Sequence, residues 1–231
     1  MKTAKFPWQI IIFDVDGVLV DVRESYQRTV LETVRHFTGK RVTWRELQQW
    51  KNRPGFNDDW KLTHAWIREL GGEFSYEAVK KQFEDIYWGH GADGNVSRER
   101  WLLSQRQMRT LASRAELAIF TGRTNSELDY TLDRFSARAH FQHIVTVESV
   151  EKPKPDPGGL LKILEGRPAE TAIYLGDNID DALAARSARV AFFGVLPRRS
   201  EERRIRGAKL RELGARAILS DVSDIAKWTG R

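Results

Sequence analysis

The chain has 231 residues and no cysteine, which excludes disulfide bonds, thiolate metal ligands and a cysteine nucleophile. Hydrophobic residues make up 41% of it and charged residues 30%, proportions typical of a globular protein rather than a disordered one. The formal net charge of +6 favours anionic partners, a broad class that includes nucleic acids, acidic membranes and phosphorylated metabolites.

The first predicted strand is a short apolar run that ends in two carboxylates. Residues Ile10 to Phe13 are all apolar, which indicates a strand buried on both faces of a parallel sheet. Asp14 and Asp16 lie two residues apart, so their side chains would point to one side of an extended backbone, and Gly17 permits a turn. The pair fits a Mg²⁺ site or an acid/base dyad; the alternative is a strand end at which aspartate caps the next helix.

Helical patterns fill the next part of the chain, residues 21–96. The predicted helices are 22–37, one that begins at a capping box formed by Thr43 and Glu46, one from 57 or 58 to 70, and one that begins at Ser75. We expect an all-helical cap domain at 21–96, inserted into an α/β core made of 1–20 and 97–231. In the loop before the third helix, Arg53 and Asn57 are candidates for gripping the leaving group of a substrate, or else they are solvated loop residues.

From residue 97 onward, predicted strands and helices alternate, which indicates a parallel sheet with right-handed crossovers. The expected helices are 97–114, 125–135, 158–164, 180–186, an arginine-rich solvated helix reaching 213, and a short one at 221–225. The expected strands are 116–120, 144–147, 171–175, 190–193 and 215–219. The predicted fold is therefore α/β, a Rossmann-like parallel sheet core with the helical cap inserted.

Polar clusters follow four of the predicted strands. They are Asp14 with Asp16, then Thr121-Gly122-Arg123, then the proline-rich segment that begins at Lys152, and then Asp177 with Asp181. In such sheets ligands bind outside the carboxyl ends of the strands, so the four clusters are expected to form one site.

The residue types in these clusters are typical of phosphoryl transfer. Carboxylates of Asp14 and Asp177 would bind a hard divalent cation, and Mg²⁺ suits a few carboxylates with waters that a phosphate can displace. Thr121 offers a hydroxyl donor to a phosphate oxygen, and Lys152 offers a positive charge on a segment stiffened by prolines. An aspartate carboxylate can itself attack phosphorus and form an aspartyl-phosphate.

Four segments in this order, D-V-D-G-V-L-V-D, T-G-R, K-P-K-P-D-P and G-D-N-I-D-D, resemble the motifs of the haloacid dehalogenase superfamily, specifically its phosphatase branch with a helical cap. The resemblance implies that Asp14 is the nucleophile and a Mg²⁺ ligand. It also implies that Asp16 is the general acid and base, with its backbone carbonyl on the metal. Thr121 would bind phosphate, and Asp177 would bind the metal.

Three further roles follow from the same resemblance. Asp181 is the second metal-site acid, and Gly122 and Arg123 accompany Thr121 as phosphate-binding residues. Arg123 departs from the asparagine or serine often found there, so either phosphate or solvent is its expected neighbour. The active-site lysine is expected to be Lys152, because its K-P-x-P-D-P context fits the family, with Lys154 in reserve.

The resemblance implies a Mg²⁺-dependent phosphatase acting on a small phosphorylated metabolite, with phosphoglycolate as the nearest named substrate. The alternatives are a sugar phosphomutase similar to beta-phosphoglucomutase and a non-catalytic binding protein on the same fold. No nucleic-acid partner is expected, because glutamates interrupt the arginine-rich segment 198–206. No membrane partner is expected either, since no apolar run approaches about 20 residues. We expect a cytoplasmic monomer or homodimer.

Overall fold

The structure is a computed structural model that describes residues 6–53, 55–56, 58–197 and 201–228. It divides into two compact units. The first, the core unit, combines the described residues of Met1–Leu19 and Trp101–Arg231, and the second, the helical unit, is Val20–Arg100.

Strands form a six-stranded sheet in the core unit and a separate two-stranded sheet. Their bounds are β1 Ile10–Phe13, β2 Val20–Asp21, β3 Arg100–Trp101, β4 Glu116–Phe120, β5 His143–Val145, β6 Ala172–Gly176, β7 Ala191–Val195 and β8 Ala217–Leu219. The large sheet has the order β5-β4-β1-β6-β7-β8 with every neighbouring pair parallel, and β2 pairs with β3. The predicted parallel α/β fold is confirmed.

Helices account for a large share of the remaining described residues. Their bounds are α1 Arg28–Thr38, α2 Trp44–Lys51, α3 Asp59–Glu69, α4 Tyr76–Trp88, α5 Gln105–Ala112, α6 Asn125–Arg134, α7 Gly158–Leu164, α8 Ile179–Ala188 and α9 Glu201–Glu212. The capping box of Thr43 and Glu46 and the N-cap at Ser75 are as predicted. No helix in the described ranges has the length and hydropathy needed to cross a lipid bilayer.

The predicted helix over 97–114 is wrong in its first half. A 3₁₀ turn occupies Asn95–Arg98, strand β3 follows, and α5 begins only at Gln105. The reason is local: Ser104 accepts a hydrogen bond from the backbone N–H of Gln107, whose side chain in turn binds the backbone of Ser104. This capping box sets the start of α5.

The central strand β1 sets the position of the polar clusters. Phe13, its last residue, is in register with Ile119 of β4 on one side and with Leu175 of β6 on the other. The backbone N–H of Asp14 then donates to the carbonyl of Leu175 at 2.8 Å. Because all three strands are parallel, the residues that follow them emerge at one edge of the sheet, as the sequence predicts.

Candidate active site

Asp14 forms the centre of the polar site at the carboxyl end of β1. Asp14 is only 6% exposed, and its Oδ1 accepts a hydrogen bond from Nζ of Lys154 at 2.7 Å. The same Nζ lies 2.7 Å from Oδ1 of Asp181, so one ammonium group joins two carboxylates. Buried charges are tolerated when they are paired in this way.

The lysine that contacts Asp14 is Lys154 and not Lys152, which the sequence predicted. Lys152 is exposed, whereas Lys154 is buried and turned toward Asp14. Both lysines precede a proline, so local sequence preferences do not separate them. What separates them is the path of the loop, which brings only the Lys154 side chain to the sheet edge.

Tyr174 on β6 completes the support of this lysine. Its hydroxyl donates to Oδ1 of Asp181 at 2.7 Å and accepts from Nζ of Lys154 at 3.0 Å. Asp181 in turn accepts the backbone N–H of Asn178 at 3.1 Å, as the N3 residue of the capping box that begins α8. The carboxylate is therefore fixed by a helix start and by the buried lysine together.

Burial governs the ionisation of this group of residues. It raises the pKa of the Asp14 carboxyl well above its usual range, and the charge of Lys154 acts against that shift. For Lys154, burial lowers the pKa, but the charges of Asp14 and Asp181 outweigh burial and the net shift is upward. Burial and then the charge of Asp181 raise the pKa of the Tyr174 hydroxyl, which therefore stays protonated at neutral pH.

Asp177 follows β6 and faces Gly17. A Cβ atom on residue 17 would lie 2.6 Å from Oδ2 of Asp177, and Gly17 has φ +80°, so glycine is required there on two counts. Nη1 of Arg206, a buried residue of α9, lies 3.4 Å from the same Oδ2. The prediction of a solvated arginine-rich helix is thus wrong for Arg206, which faces inward.

Asp16 lies apart from the carboxylate cluster and is held by Arg123. Nε and Nη2 of Arg123 donate to its Oδ1 at 3.0 Å and 2.6 Å. The backbone N–H of Arg123 donates to Oγ1 of Thr121 at 3.2 Å, which leaves the hydroxyl proton of Thr121 for another acceptor. Gly122, between them, is exposed. Arg123 therefore faces a carboxylate, where the sequence predicted phosphate or solvent.

A divalent cation fits the carboxylate cluster. Asp14, Asp177 and Asp181 each offer a carboxylate oxygen, and these atoms all lie within 4.8 Å of one another. Three carboxylates with no sulfur or imidazole ligand suit a hard cation such as Mg²⁺. Burial also raises the pKa of the Asp14 carboxyl, and a divalent cation beside it would favour the ionised form. The side chain of Asp16 is not part of this cluster.

The two predicted residues of the helical unit have different outcomes. The guanidinium of Arg53 stacks on the Trp50 ring, 3.9 Å from its centroid, and pairs with Glu69 at 3.3 Å. Asn57 lies outside the described residues. Arg53 thus contacts two side chains of the helical unit itself. A contact between Arg53 and a substrate stays a prediction.

Sequence reasoning did not find Tyr174, Arg206 or Thr131, the last of which binds Arg123. Tyr174 had a usable signal, since it is the one side chain with a hydroxyl in an otherwise apolar strand. Arg206 had none, because it stands among many arginines and reaches a residue 29 positions away.

The fold and the site together define a hydrolase of the haloacid dehalogenase type. Residues 11–195 match the family described as haloacid dehalogenase-like hydrolase. The chain therefore belongs to this family.

The chain is also similar to individual proteins and solved structures. The chain is 31% identical over 230 residues to an imidazoleglycerol-phosphate dehydratase of Phytophthora nicotianae, a match that spans 93% of this chain but only 50% of that protein. It is 25% identical to phosphoglycolate phosphatase 1 of Pseudomonas aeruginosa, across 79% of this chain and 67% of the relative. The solved structure of a predicted phosphoglycolate phosphatase from Haemophilus somnus shares the fold with a TM-score of 0.75 at 19% identity, and the match covers 96% of this chain and 97% of that one.

Proposed function

We propose that this protein is a Mg²⁺-dependent phosphatase that hydrolyses a small phosphomonoester through an aspartyl-phosphate on Asp14. The observation that carries the proposal is the buried Asp14 carboxylate at the end of the central strand, bound by Lys154 at 2.7 Å and facing two more acids. Membership of a hydrolase family supports the reaction class.

In the first step an oxygen of Asp14 attacks phosphorus, and the bond from phosphorus to the leaving-group oxygen breaks. Lys154 orients the Asp14 carboxylate, and its charge opposes the effect of burial, which favours the protonated form of Asp14. The Thr121 hydroxyl, which accepts the Arg123 N–H, has its proton available to donate to a phosphoryl oxygen. When bound, Mg²⁺ neutralises phosphoryl charge, and Asp14, Asp177 and Asp181 would hold it.

Asp16 carries the proton in both halves of the reaction. As an acid it gives a proton to the departing alcohol, and as a base it takes one from the water that attacks the aspartyl-phosphate. Attack by water breaks the bond between phosphorus and Asp14, releases inorganic phosphate and restores both carboxyl groups. The side chain of Asp16 is 36% exposed, which suits a group that exchanges protons with substrate and water.

Two relatives suggest which leaving groups to examine. The Pseudomonas protein is named for phosphoglycolate, a small carboxylate-bearing ester. The Phytophthora protein is named for an imidazole-bearing phosphate ester, although the chain spans about half of it. We propose phosphoesters of small polar metabolites as the substrate class.

The test is phosphate release from a panel of phosphomonoesters that contains both kinds of ester, with and without Mg²⁺. Wild-type protein is compared with Asp14→Asn, and Asp133→Asn on the exposed face of α6 serves as the matched control. We expect Mg²⁺-dependent turnover in wild type and control, none in Asp14→Asn, and an acid-stable protein phosphate only when Asp14 is present. Turnover by Asp14→Asn would contradict the mechanism, and phosphoryl transfer between sugar phosphates without release would instead support a mutase.

A further inference from the structure

Arg123 holds the general acid of the proposed reaction from a buried position. The residue is 2% exposed, although its guanidinium carries a full charge. Its Nε and Nη2 atoms both donate to the same oxygen of Asp16, Oδ1, at 3.0 Å and 2.6 Å. Its Nη1 donates to Oγ1 of Thr131 at 2.6 Å. Each nitrogen of the guanidinium thus has a protein acceptor.

We infer that Arg123 is a positioning residue that aligns Asp16 for proton transfer to the leaving group, and that it is not a ligand of the phosphate. This inference rests on the proposed function. As a positioning residue, Arg123 touches neither the phosphoryl group nor the metal and acts only through the Asp16 carboxylate.

The geometry at Asp16 supports this role. Because both arginine hydrogen bonds end on Oδ1, they restrain the orientation of the Asp16 carboxylate. The arginine side chain is 1% exposed, whereas that of Asp16 is 36% exposed. A buried, rigid cation therefore supports an accessible acid, an arrangement that fixes a reacting group to within the narrow tolerance that proton transfer requires.

Arg123 is itself fixed at both its main chain and its side chain. Its carbonyl accepts the N–H of Val147 at 3.2 Å, and its N–H donates to Thr121. Thr131, a fully buried residue of α6, anchors the guanidinium and donates its own hydroxyl proton to the carbonyl of Glu127 at 3.1 Å. The arginine cannot swing toward a substrate without breaking these contacts.

The chemistry of the leaving group distinguishes a residue that positions Asp16 from a residue that binds the phosphate. An alkoxide is a poor leaving group unless an acid protonates it, whereas p-nitrophenolate leaves without such help because p-nitrophenol is much more acidic than an alcohol. A residue that acts through the acid therefore affects alkyl esters selectively. A residue that binds the phosphoryl group affects both classes of ester, because both carry the same group.

The experiment measures kcat/KM, which reports the first half-reaction, for p-nitrophenyl phosphate and for the best alkyl phosphate of the panel. The variants are Arg123→Lys, Thr131→Val and, as a control, Arg109→Lys at an exposed site on α5. We expect Arg123→Lys to lower kcat/KM for the alkyl ester about 100-fold. For p-nitrophenyl phosphate the loss should be below about threefold, with inhibition by inorganic phosphate unchanged.

Thr131→Val keeps the volume of the side chain and removes one anchor, so it should give a smaller loss of the same selectivity. In an Asp16→Asn background, Arg123→Lys should cause no further loss, because a positioning residue has nothing left to position. Circular dichroism and thermal unfolding establish that each variant is folded.

Equal losses on the two esters, weaker inhibition by phosphate, or an undiminished effect of Arg123→Lys in the Asp16→Asn background would overturn the inference while leaving the phosphatase function standing. Wild-type protein that hydrolyses neither ester would overturn both.

Discussion

Lys154 reaches across 140 residues of sequence to place its ammonium group 2.7 Å from Oδ1 of Asp14. The contact joins the loop after β5 to the end of the central strand, and Asp181 binds the same nitrogen. Three charged groups thus share one buried location, where the ammonium group of Lys154 opposes the burial that favours the neutral form of Asp14.

Replacing this lysine should therefore affect both stability and turnover. We expect Lys154→Met to lower phosphate release at least about 100-fold, because a cation that orients the nucleophile and faces the phosphoryl group is lost. Breaking a buried pair should also lower the free energy of unfolding by about 3–5 kcal/mol. Phosphate release and chemical denaturation measure the two effects. Lys152→Met, two residues away and exposed, is the matched control and should resemble wild type. The reverse ranking of the two variants would contradict the assignment of Lys154.

Metal binding at the carboxylate cluster should be visible without any substrate. A ligand that binds only the folded state stabilises it by about 2.7 kcal/mol at a concentration of 100 Kd. For a chain of this size, we expect Mg²⁺ to raise the Tm by about 5–10 °C. Asp177→Asn should abolish most of the increase, and Asp133→Asn, on the exposed face of α6, should retain it. An Asp177→Asn protein that Mg²⁺ stabilises as much as wild type would remove Asp177 from the proposed metal site.

Gly17 should tolerate no side chain, for a reason separate from its backbone. Gly17→Ala puts a Cβ atom 2.6 Å from Oδ2 of Asp177, in addition to the cost of about 1–2 kcal/mol of a left-handed alanine. Gly39→Ala has the same left-handed backbone but no atom within 4 Å of its Cβ, so it carries the backbone cost alone. Thermal unfolding should therefore show greater destabilisation in Gly17→Ala than in Gly39→Ala, and Mg²⁺ titration should show weaker binding only in Gly17→Ala. Unchanged Mg²⁺ affinity in Gly17→Ala would indicate that Mg²⁺ binding does not depend on the present position of the Asp177 carboxylate.

The helical unit contains an ion pair with a defined acid dependence. Asp21 accepts hydrogen bonds from Arg23 and from Arg100, and chiefly the Arg23 side chain lowers the pKa of its carboxyl from 3.8 to about 2. Because the folded pKa is the lower one, the pair stabilises the protein above pH 3.8, and this contribution is lost as the pH falls toward 2. Asp21→Asn should lower the free energy of unfolding at pH 7 by about 1 kcal/mol, and the difference from wild type should shrink with acidification. Urea denaturation at pH 7, 4 and 2.5 measures this, and a difference that grows as the pH falls would contradict it.

Features that depend on a few neighbouring residues were predictable from the sequence. They include the buried strand before Asp14 and the residues that cap α2 and α4. Arg206 was not predictable, since its inward orientation depends on how α9 packs against a strand end 29 residues earlier. The choice between Lys152 and Lys154 was of the same kind, because a proline follows each lysine and the path of the loop decides which of them contacts Asp14. Arg123 was found as a residue, but its contact with Asp16 was not predictable because it joins residues 107 positions apart.

The capping role of Asp181 makes the start of α8 a reporter of the site. The carboxylate that binds Lys154 through Oδ1 also accepts the backbone N–H of Asn178 through Oδ2. Exchange of that amide hydrogen with solvent requires this bond to open. A cation bound by Asp181 would restrain the carboxylate and slow the exchange at Asn178, so a single amide signal in solution would follow the occupancy of the centre without turnover, label or substrate.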